Sequence, residues 1–341
     1  MLYFKSDYTE GAHPKILEAL ERTNLVSQPG YGEDCFSAAA REKIRLACGK
    51  PEADVYLLTG GTQTNLIVIS ALLRRWEGVV CAGTGHIAVH EAGAIEFSGH
   101  KVLTLPAHDG KLRADELAAL AERFYADGTH EHMVYPGMVY LSQPTELGTL
   151  YSRAELEAIA AVCRRFEMPL FLDGARLGYG LAAAENDLSL AALADIVDVF
   201  YIGGTKVGAL CGEAVVFPRG NMPPHFTTMV KQQGGLLAKG RLLGVQFDAL
   251  FTDGLYFELG RGAVALAMKL KKAFVERGYP LFLDSPTNQQ FVILTAEQET
   301  RFAREAAFER WEPLPDGRYA VRFVTSWATT VEQVDALIAL L

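Results

Sequence analysis

The stretch YIGGTKVGALCGEAVVF, residues 201–217, places a single lysine, Lys206, among glycines and apolar residues. The apolar runs on both sides are typical of buried strands, so we expect this lysine in a tight connection between two core segments. An ammonium group is costly to remove from water unless it is paired, neutralised or used chemically. Because burial lowers the pKa of a lysine and frees its amine as a nucleophile, the pattern indicates a covalent role for Lys206.

From about residue 50 to residue 220, short apolar runs alternate with helical patterns, one of which opens with the capping box Ser152–Glu155. Strands that are apolar on both faces and are separated by helices predict a mostly parallel sheet covered by helices. Ligands bind beyond the carboxyl ends of such strands. Because Gly60–Thr62, Asp173 and Lys206 each follow a predicted strand, we expect them to line one pocket.

Beyond about residue 235 the pattern changes to long helices followed by a small α+β unit. Its expected elements are a strand at 289–295, a helix over 296–308, two strands joined by the Pro-Asp-Gly turn at 315–317, and a final helix. We therefore predict a large domain over residues 1–248, including the N-terminal segment. A linker helix and a small C-terminal α+β domain are expected over residues 249–341.

The composition excludes several classes of protein. The 341 residues carry a formal net charge of −9 and no dense basic run, which argues against nucleic acid as a partner. The five cysteines are scattered, so we expect a reducing compartment and neither disulfides nor a metal site. The longest apolar run, Leu66–Leu73, is too short to span a bilayer, and residues 1–14 lack the apolar core of a signal peptide. We expect a cytoplasmic enzyme without a membrane partner.

Asp173 ends the apolar run MPLFLD, residues 168–173. A carboxylate that enters a buried sheet needs a cation or several hydrogen-bond donors, although a loop-capping aspartate is an equally simple interpretation. Arg176 follows three residues later. This spacing allows the two side chains either to pair with each other or to reach different parts of one ligand.

The stretch LLTGGTQTN, residues 57–65, supplies a possible anion site. The backbone amides of Gly60, Gly61 and Thr62 are expected where a strand ends and a helix begins, and the helix dipole favours an anion there. The stretch lacks both the Lys-Ser/Thr ending of a P-loop and the G-x-G-x-x-G spacing of a dinucleotide fold. A purely structural turn explains it nearly as well.

The order of these features, a glycine-rich turn, an aspartate at a strand end and a glycine-flanked lysine, resembles a fold type I pyridoxal 5′-phosphate enzyme. The stretch FLDGARLG, residues 171–178, matches the Asp-Gly-Ala-Arg motif of the threonine aldolase/β-eliminating lyase family. Other stretches similar to that family are FKSDYTEGAHP (4–14), PGYGEDCFS (29–37), GHIAVHEAGAIE (85–96) and RFVTSW (322–327). The chain departs from better-known members at GGTKVGA (203–209) and at SQPTELG (142–148), where many have a Ser-Lys-Gly-Leu-type loop and an Asn-Thr-His stretch.

The resemblance implies an α/β fold of type I, in which Lys206 binds pyridoxal 5′-phosphate covalently and Asp173 keeps the ring nitrogen protonated. His86 would stack on the cofactor ring and accept the proton of the substrate's β-hydroxyl. His90 is a rival for that proton, and a hydrogen-bonded core histidine is the alternative for His86. The remaining cofactor-binding residues that the resemblance implies are Gly60, Gly61, Thr62, Arg176 and Lys231, the last reaching a phosphate of this or a neighbouring subunit.

For the substrate carboxylate, the resemblance points to Arg322, with Arg176 and Ser6 sharing the anion. The planar guanidinium fork suits a carboxylate, and a cross-strand ion pair is the alternative for Arg322. The family also implies a homodimer or homotetramer in which active sites are shared between subunits.

The expected reaction is a retro-aldol cleavage of threonine or allo-threonine to glycine and an aldehyde. A β-eliminating lyase or an aminotransferase would use the same aspartate, lysine and phosphate turn. A nucleotide-dependent oxidoreductase is a further alternative, although the dinucleotide glycines are missing. The last alternative is a non-catalytic binding protein on an enzyme scaffold. The presence of Asp173, Lys206 and Arg322 argues against it.

Overall fold

A seven-stranded sheet forms the centre of the computed structural model, which describes residues 1–341. The strands are β1 (Leu2–Tyr3), β2 (Asp54–Leu58), β3 (Glu77–Ala82), β4 (Val102–Leu105), β5 (Tyr135–Ser142), β6 (Leu170–Asp173), β7 (Val199–Gly203), β8 (Glu213–Phe217), β9 (Leu281–Leu283), β10 (Gln289–Leu294), β11 (Ala306–Ala307), β12 (Glu309–Pro313) and β13 (Tyr319–Val324). The helices are α1 (Pro14–Thr23), α2 (Cys35–Cys48), α3 (Gly61–Leu72), α4 (His86–Val89), α5 (Ala94–Phe97), α6 (Ala114–Ala126), α7 (Arg153–Arg165), α8 (Leu177–Ala182), α9 (Leu190–Ile196), α10 (Phe226–Gln232), α11 (Arg241–Leu250), α12 (Leu255–Glu276), α13 (Ala296–Phe302) and α14 (Val331–Ala339), with a 3-10 turn at His130–His132.

The large sheet has the strand order β2-β8-β7-β6-β5-β3-β4. Strands β3 to β7 pair in parallel, whereas β8 runs antiparallel to both of its neighbours. The predicted mostly parallel sheet is therefore confirmed. Strand β8 reverses because residues 204–212, which connect it to β7, are too few for a crossover. Lys206 lies in this reversing connection.

Successive residues of the central strands pack into different cores on the two faces of the sheet. Leu141 and Leu172 belong to a cluster of 41 buried residues, and their neighbours Tyr140 and Phe171 belong to a cluster of 18. Because side chains alternate along a strand, a sheet covered on both faces requires continuous apolar runs. This requirement is the physical reason why the sequence pattern predicted the architecture.

The predicted capping box at the start of α7 is confirmed. The Ser152 hydroxyl accepts a hydrogen bond from the Glu155 backbone N–H, and the Glu155 carboxylate accepts one from the Ser152 backbone N–H. The predicted helix over residues 296–308 is wrong in its second half, since α13 ends at Phe302. Ala306 and Ala307 instead form β11. This strand pairs in parallel with the N-terminal strand β1.

A four-stranded antiparallel sheet, β12-β13-β10-β9, forms the centre of the C-terminal part. The hairpin between β12 and β13 turns at residues 314–318, as the Pro-Asp-Gly stretch predicted, with Gly317 in the left-handed region. The boundary at residue 248 stays a prediction. The assignment of the N-terminal segment to the large domain stays a prediction too, and Phe4 packs in the buried cluster that contains Phe274 and Phe323.

No helix of the protein combines the length and the apolar character that crossing a membrane requires.

We predict that Phe4→Ala lowers the free energy of unfolding by about 3 kcal/mol, because Phe4 is only 1% exposed and its removal leaves a cavity. Its neighbour Tyr3 is 58% exposed, so Tyr3→Ala is the matched control and should change the free energy by no more than about 0.5 kcal/mol. Urea unfolding of both variants measures the difference. Equal losses would contradict the packing of the N-terminus described above.

Candidate active site

A cavity opens beyond the carboxyl ends of β2, β5, β6 and β7, beside the N-terminus of α3. We call it the inner cavity, and the predicted residues that line it are Gly60, Gly61, Thr62, His86, Asp173, Arg176 and Lys206. An adjoining outer cavity shares His86, Glu146, Arg176 and Lys206 with it and extends to Tyr8, His90, Trp311 and Arg322. Residues from eight separate stretches of chain therefore meet in one place.

Asp173 ends β6 and is buried. Its carboxylate accepts hydrogen bonds from the Tyr140 hydroxyl at 2.6 Å, the Ala175 N–H at 2.9 Å and the Asn65 amide at 3.1 Å. Burial alone would raise the pKa of Asp173, but the positive charge of His86 and hydrogen bonds from Tyr140, Tyr201 and the Ala175 N–H lower it overall. Asp173 is therefore held as an anion at the floor of the inner cavity.

The turn after Asp173 depends on Gly174. A Cβ at Gly174 would lie 2.0 Å from the Tyr201 carbonyl oxygen, so no larger residue fits between β6 and β7. The close approach lets Gly203 N–H bond to the Gly174 carbonyl and aligns the ends of the two strands. This contact explains why the Asp-Gly-Ala-Arg stretch brings Asp173 and the Lys206 connection together.

Lys206 is half-buried in the connection between β7 and β8. Burial lowers the pKa of its amine, and the positive charge of Arg176 lowers it further, while Asp7, Asp173 and Glu213 oppose the shift. The amine makes no hydrogen bond or ion pair with the protein, and it lies 5.9 Å from the ring centroid of Tyr8. A lysine in this environment is a nucleophile whose amine is unoccupied.

Glu213, at the start of β8, forms hydrogen bonds that stabilise the connection containing Lys206. The Glu213 carboxyl accepts a hydrogen bond from the Thr205 hydroxyl at 2.9 Å and another from the Gly204 N–H at 3.2 Å. Burial raises the pKa of Glu213 to about 8. Because both donors lie within two residues of Lys206 in the chain, Glu213 fixes the direction in which the lysine leaves the sheet.

The glycine-rich turn opens α3 at the rim of the inner cavity. Gly60 precedes the helix and provides no side chain to cap it, so the first amide groups of α3 have no partner from a capping residue. Unpartnered amides at the start of a helix bind anions. Thr59 and Thr205 add hydroxyl groups to the same wall.

His86 begins α4 and lines both cavities. Its Nδ1 lies 2.7 Å from the carboxylate of Glu91, which is buried and also accepts a hydrogen bond from Asn65 at 2.7 Å. Burial alone would lower the pKa of His86, but the hydrogen bond to Glu91 and the charge of Asp173 raise it overall. His90 is exposed at the outer cavity, with its ring centroid 5.7 Å from that of His86.

Arg176 does not pair with Asp173, and its guanidinium is not entirely free for a ligand, because it pairs with Asp7. Its Nε and Nη2 donate to the two carboxylate oxygens of Asp7 at 2.7 and 2.9 Å. Asp7 is completely buried and also accepts a hydrogen bond from Asn288 at 2.9 Å. Arg176 still lines both cavities, so its predicted role toward cofactor and substrate stays a prediction, with two of its three nitrogens already occupied.

Arg322 lies on β13 and lines the outer cavity. Its Nη1 donates to Gln289 at 2.9 Å, and its guanidinium lies 5.2 Å from the ring centroid of Trp311. Its Nε is buried and has no hydrogen-bond partner. Glu309 is the cross-strand neighbour of Arg322 but forms no ion pair with it. The guanidinium of Arg322 thus keeps an unpartnered Nε, and its predicted role toward a carboxylate stays a prediction.

Two predicted residues do not reach the cavities. Ser6 is buried, and it is its neighbours Asp7 and Tyr8 that contribute to the site. Lys231 is exposed on α10, and its amine lies 5.0 Å from the ring centroid of Tyr31 on the surface of the chain.

Sequence reasoning did not single out several polar residues of the site. They are Asp7, Asn65, Glu91, Tyr140, Glu146, Tyr201 and Glu213. Tyr140 and Tyr201 carried a usable signal, because a tyrosine inside an apolar buried strand must find a partner for its hydroxyl. The glutamates gave no such signal, since most glutamates in a sequence are solvated.

We predict that Asp7→Asn lowers the free energy of unfolding at pH 7 by about 3 kcal/mol, because it leaves the buried Arg176 guanidinium without its charge partner. Burial alone would raise the pKa of Asp7, but the charges of Arg176 and Lys206 lower it overall. A lowered pKa stabilises the fold above the pKa of the unfolded state, and this contribution disappears as the pH falls through the folded value. The variant should therefore lose less stability than the wild type on acidification below about pH 4.

Chemical denaturation at several pH values measures both effects. Glu122→Gln, which removes an exposed partner of Arg165, is the control and should cost far less than Asp7→Asn. A pH dependence of stability that is the same in Asp7→Asn and the wild type would rule out the linkage.

The chain was compared with known families, proteins and structures. The family described as beta-eliminating lyase matches residues 4–316. The structure of a threonine aldolase from Leishmania major superposes with a TM-score of 0.96 at 42% identity, over 100% of this chain and 98% of that one. Low specificity L-threonine aldolases from Pseudomonas sp. strain NCIMB 10558 and from Pseudomonas aeruginosa are each 29% identical, over 98% of this chain and 96% and 95% of theirs.

The large, mostly parallel sheet with its small C-terminal sheet is the fold type I arrangement that the resemblance implied. The family match covers the glycine turn, the Asp-Gly-Ala-Arg stretch and the lysine connection alike. The chain belongs to the threonine aldolase/beta-eliminating lyase family.

Proposed function

We propose that this protein is a pyridoxal 5′-phosphate-dependent lyase that cleaves threonine or allo-threonine to glycine and an aldehyde. Its relatives from Leishmania major and from the two pseudomonads are named threonine aldolases. The observation that carries the proposal is the inner cavity, where the unoccupied amine of Lys206 and the anionic Asp173 lie beside the open N-terminus of α3.

The chemistry of the site supports this cofactor. A half-buried amine without a partner is unfavourable as an ammonium ion, and a covalent bond to an aldehyde removes that charge. The first amides of α3, together with Thr62, offer donors for a phosphate group. Asp173 has a lowered pKa and lines the cavity, so it is suited to hold a proton on a ring nitrogen. When bound, pyridoxal 5′-phosphate supplies a conjugated ring that accepts the electron pair of a bond broken at the substrate Cα.

The outer cavity supports an amino acid as the substrate. Arg322 offers its unpartnered Nε, and the adjoining Nη2 completes the planar fork that binds a carboxylate. His86 lies between the two cavities, where its ring can face the cofactor on one side and the substrate on the other. The substrate would therefore extend from Arg322 toward Lys206, with its Cα near the amine and its side chain near His86.

A neighbouring subunit is a further part of the proposal. The exposed Lys231 and Tyr31 lie together at the surface and away from this chain's own cavities. In a homodimer or homotetramer, Lys231 would meet the phosphate group held by the partner subunit. Within one chain, the phosphate site has only the amides and hydroxyls described above.

We expect purified protein loaded with the cofactor to convert threonine to equimolar glycine and acetaldehyde. Lys206→Ala should reduce the rate by at least about a hundredfold, because the amine that binds the cofactor and moves protons at Cα is gone. Chromatographic analysis of the products, together with borohydride reduction and peptide mapping, tests both statements. Lys272→Ala, at an exposed position of α12, is the control and should keep wild-type activity.

Other products would assign the chain to a different reaction. A keto acid with ammonia would indicate β-elimination, and a keto acid that forms only with an added acceptor would indicate transamination. A cofactor adduct on any residue other than Lys206 would contradict the proposed site.

We further predict that Asp173→Asn lowers kcat by about a hundredfold or more, because a neutral amide cannot stabilise the positive charge on a ring nitrogen. Tyr140→Phe removes only one hydrogen bond to the same carboxylate and leaves its charge in place. Its kcat should fall by a much smaller factor. Steady-state kinetics at saturating threonine compares the two, and equal losses would show that the charge of Asp173 is not what matters.

A further inference from the structure

Glu146 occupies a position in the site that the residues discussed so far leave unexplained. It lies in the loop after β5, where this chain reads SQPTELG, and it lines both the inner and the outer cavity. Its Oε1 accepts hydrogen bonds from the Ser142 hydroxyl at 2.6 Å and from the His86 backbone N–H at 2.9 Å. Its Oε2 accepts none from the protein, so one carboxylate oxygen is fixed and the other is available.

The surroundings of Glu146 raise the pKa of its carboxyl group above the ordinary value, which makes it a stronger base. Burial raises its pKa, the Ser142 hydrogen bond and the charge of His86 partly lower it, and Asp173 raises it again. A base is most effective when its pKa approaches the working pH. The other titratable groups that line the two cavities are Tyr8, Glu91, His90, Arg176, Tyr201, Lys206, Cys211, Glu213, Glu309, Arg310 and Arg322.

His86 is less suited to accept a proton than its place in the site indicates. Its Nδ1 is hydrogen-bonded to Glu91, and this contact together with the charge of Asp173 raises the pKa of His86 although burial opposes the shift. With its proton on Nδ1, neutral His86 keeps an acceptor only at Nε2, and the raised pKa favours the imidazolium form, in which Nε2 also carries a proton. The Oε2 atom of Glu146, in contrast, is an acceptor whenever its carboxyl group is ionised.

A second contact links Glu146 to the proposed carboxylate site. The Gln289 side chain donates to the Glu146 backbone carbonyl at 3.4 Å and accepts from Arg322 at 2.9 Å. Gln289 therefore fixes Arg322 and the Glu146 loop relative to each other. A substrate held by its carboxylate at Arg322 would present its side chain at a constant position relative to Glu146.

We propose that Glu146 is the catalytic base that accepts the proton of the substrate's β-hydroxyl, an inference that rests on the proposed aldolase function. The O–H bond breaks and its proton passes to Oε2 of Glu146, while the O–H electron pair forms the C=O bond of the aldehyde. The Cα–Cβ bond breaks with its electron pair remaining on Cα. Cα then takes up a proton to give glycine, and Glu146 releases the one that it gained, so charges and atoms balance.

This assignment also makes Glu146 a determinant of specificity. An amino acid with a β-hydroxyl donates a hydrogen bond to Oε2, whereas one without it leaves a partly buried carboxylate with no partner. Sites built around such a hydrogen bond reject analogues that lack the hydroxyl, because the unpaired group is costly. Glycine, the product, has no side chain that could reach Glu146, so the affinity of the site for glycine should not depend on Glu146.

The test compares Glu146→Gln with the wild type, both loaded with cofactor. Glutamine keeps the shape and an acceptor for Ser142 and His86 but cannot accept a proton at neutral pH. We expect kcat for threonine cleavage to fall by about a hundredfold or more. The exchange of a glycine α-proton for solvent deuterium, followed by NMR, and the Kd of glycine, measured by calorimetry, should stay within about threefold of the wild type.

A second variant tests the pH dependence. Because the base must be ionised, kcat/KM of the wild type should fall as the pH decreases through the raised pKa of Glu146. Ser142→Ala removes a hydrogen bond that lowers this pKa, so its acidic limb should move to higher pH. In Glu146→Gln this limb should disappear.

Cleavage by Glu146→Gln within about threefold of the wild type would overturn the inference. A parallel loss of glycine exchange and of threonine cleavage would overturn it too, because Glu146 would then support the site as a whole. An inactive wild type that binds the cofactor would instead reject the proposed aldolase function, so the two failures are distinguishable.

Discussion

The ion pair between Asp7 and Arg176 joins three parts of the chain at the edge of the active site. Asp7 belongs to the N-terminal segment, Arg176 to the turn after β6, and Asn288, which also donates to Asp7, precedes β10 of the C-terminal sheet. A buried charge without its partner is strongly destabilising, so the three segments are constrained to meet. This contact therefore fixes the distance between the two sheets at the place where an amino acid would bind.

The same pair sets the electrostatics of Lys206. Arg176 is the principal charge that lowers the pKa of the lysine amine, while Asp7, Asp173 and Glu213 prevent a larger shift. The protein thus surrounds one amine with a cation and three buried carboxyl groups. Burial lowers the pKa of Lys206 and raises that of Glu213, and both shifts reduce the number of charges held in the cavity. The amine of Lys206 is therefore unoccupied, and no charged group is left buried without a neighbour of opposite charge.

A hydrogen-bonded chain connects polar groups of the site that lie on different elements of the fold. Asn65 on α3 donates to both Glu91 and Asp173, and Glu91 in turn contacts His86. The amide thus sets the distance between the acid at the floor of the cavity and the histidine beside it. The backbone N–H of His86 fixes Glu146 at the opposite side. A change at any member would be transmitted to the others through these shared donors.

The sequence by itself determined the sheet, because strands buried on both faces must be apolar throughout, and it located Asp173, Lys206 and the glycine turn, because each interrupts or ends an apolar run. Only the tertiary structure decided that Arg176 pairs with Asp7 and not with Asp173, that residues 306–307 are a strand, and that Glu146 lies between the two cavities. Polar partners contributed by distant segments leave no periodic pattern in the sequence. Their position depends on packing across the fold, which a local pattern does not contain.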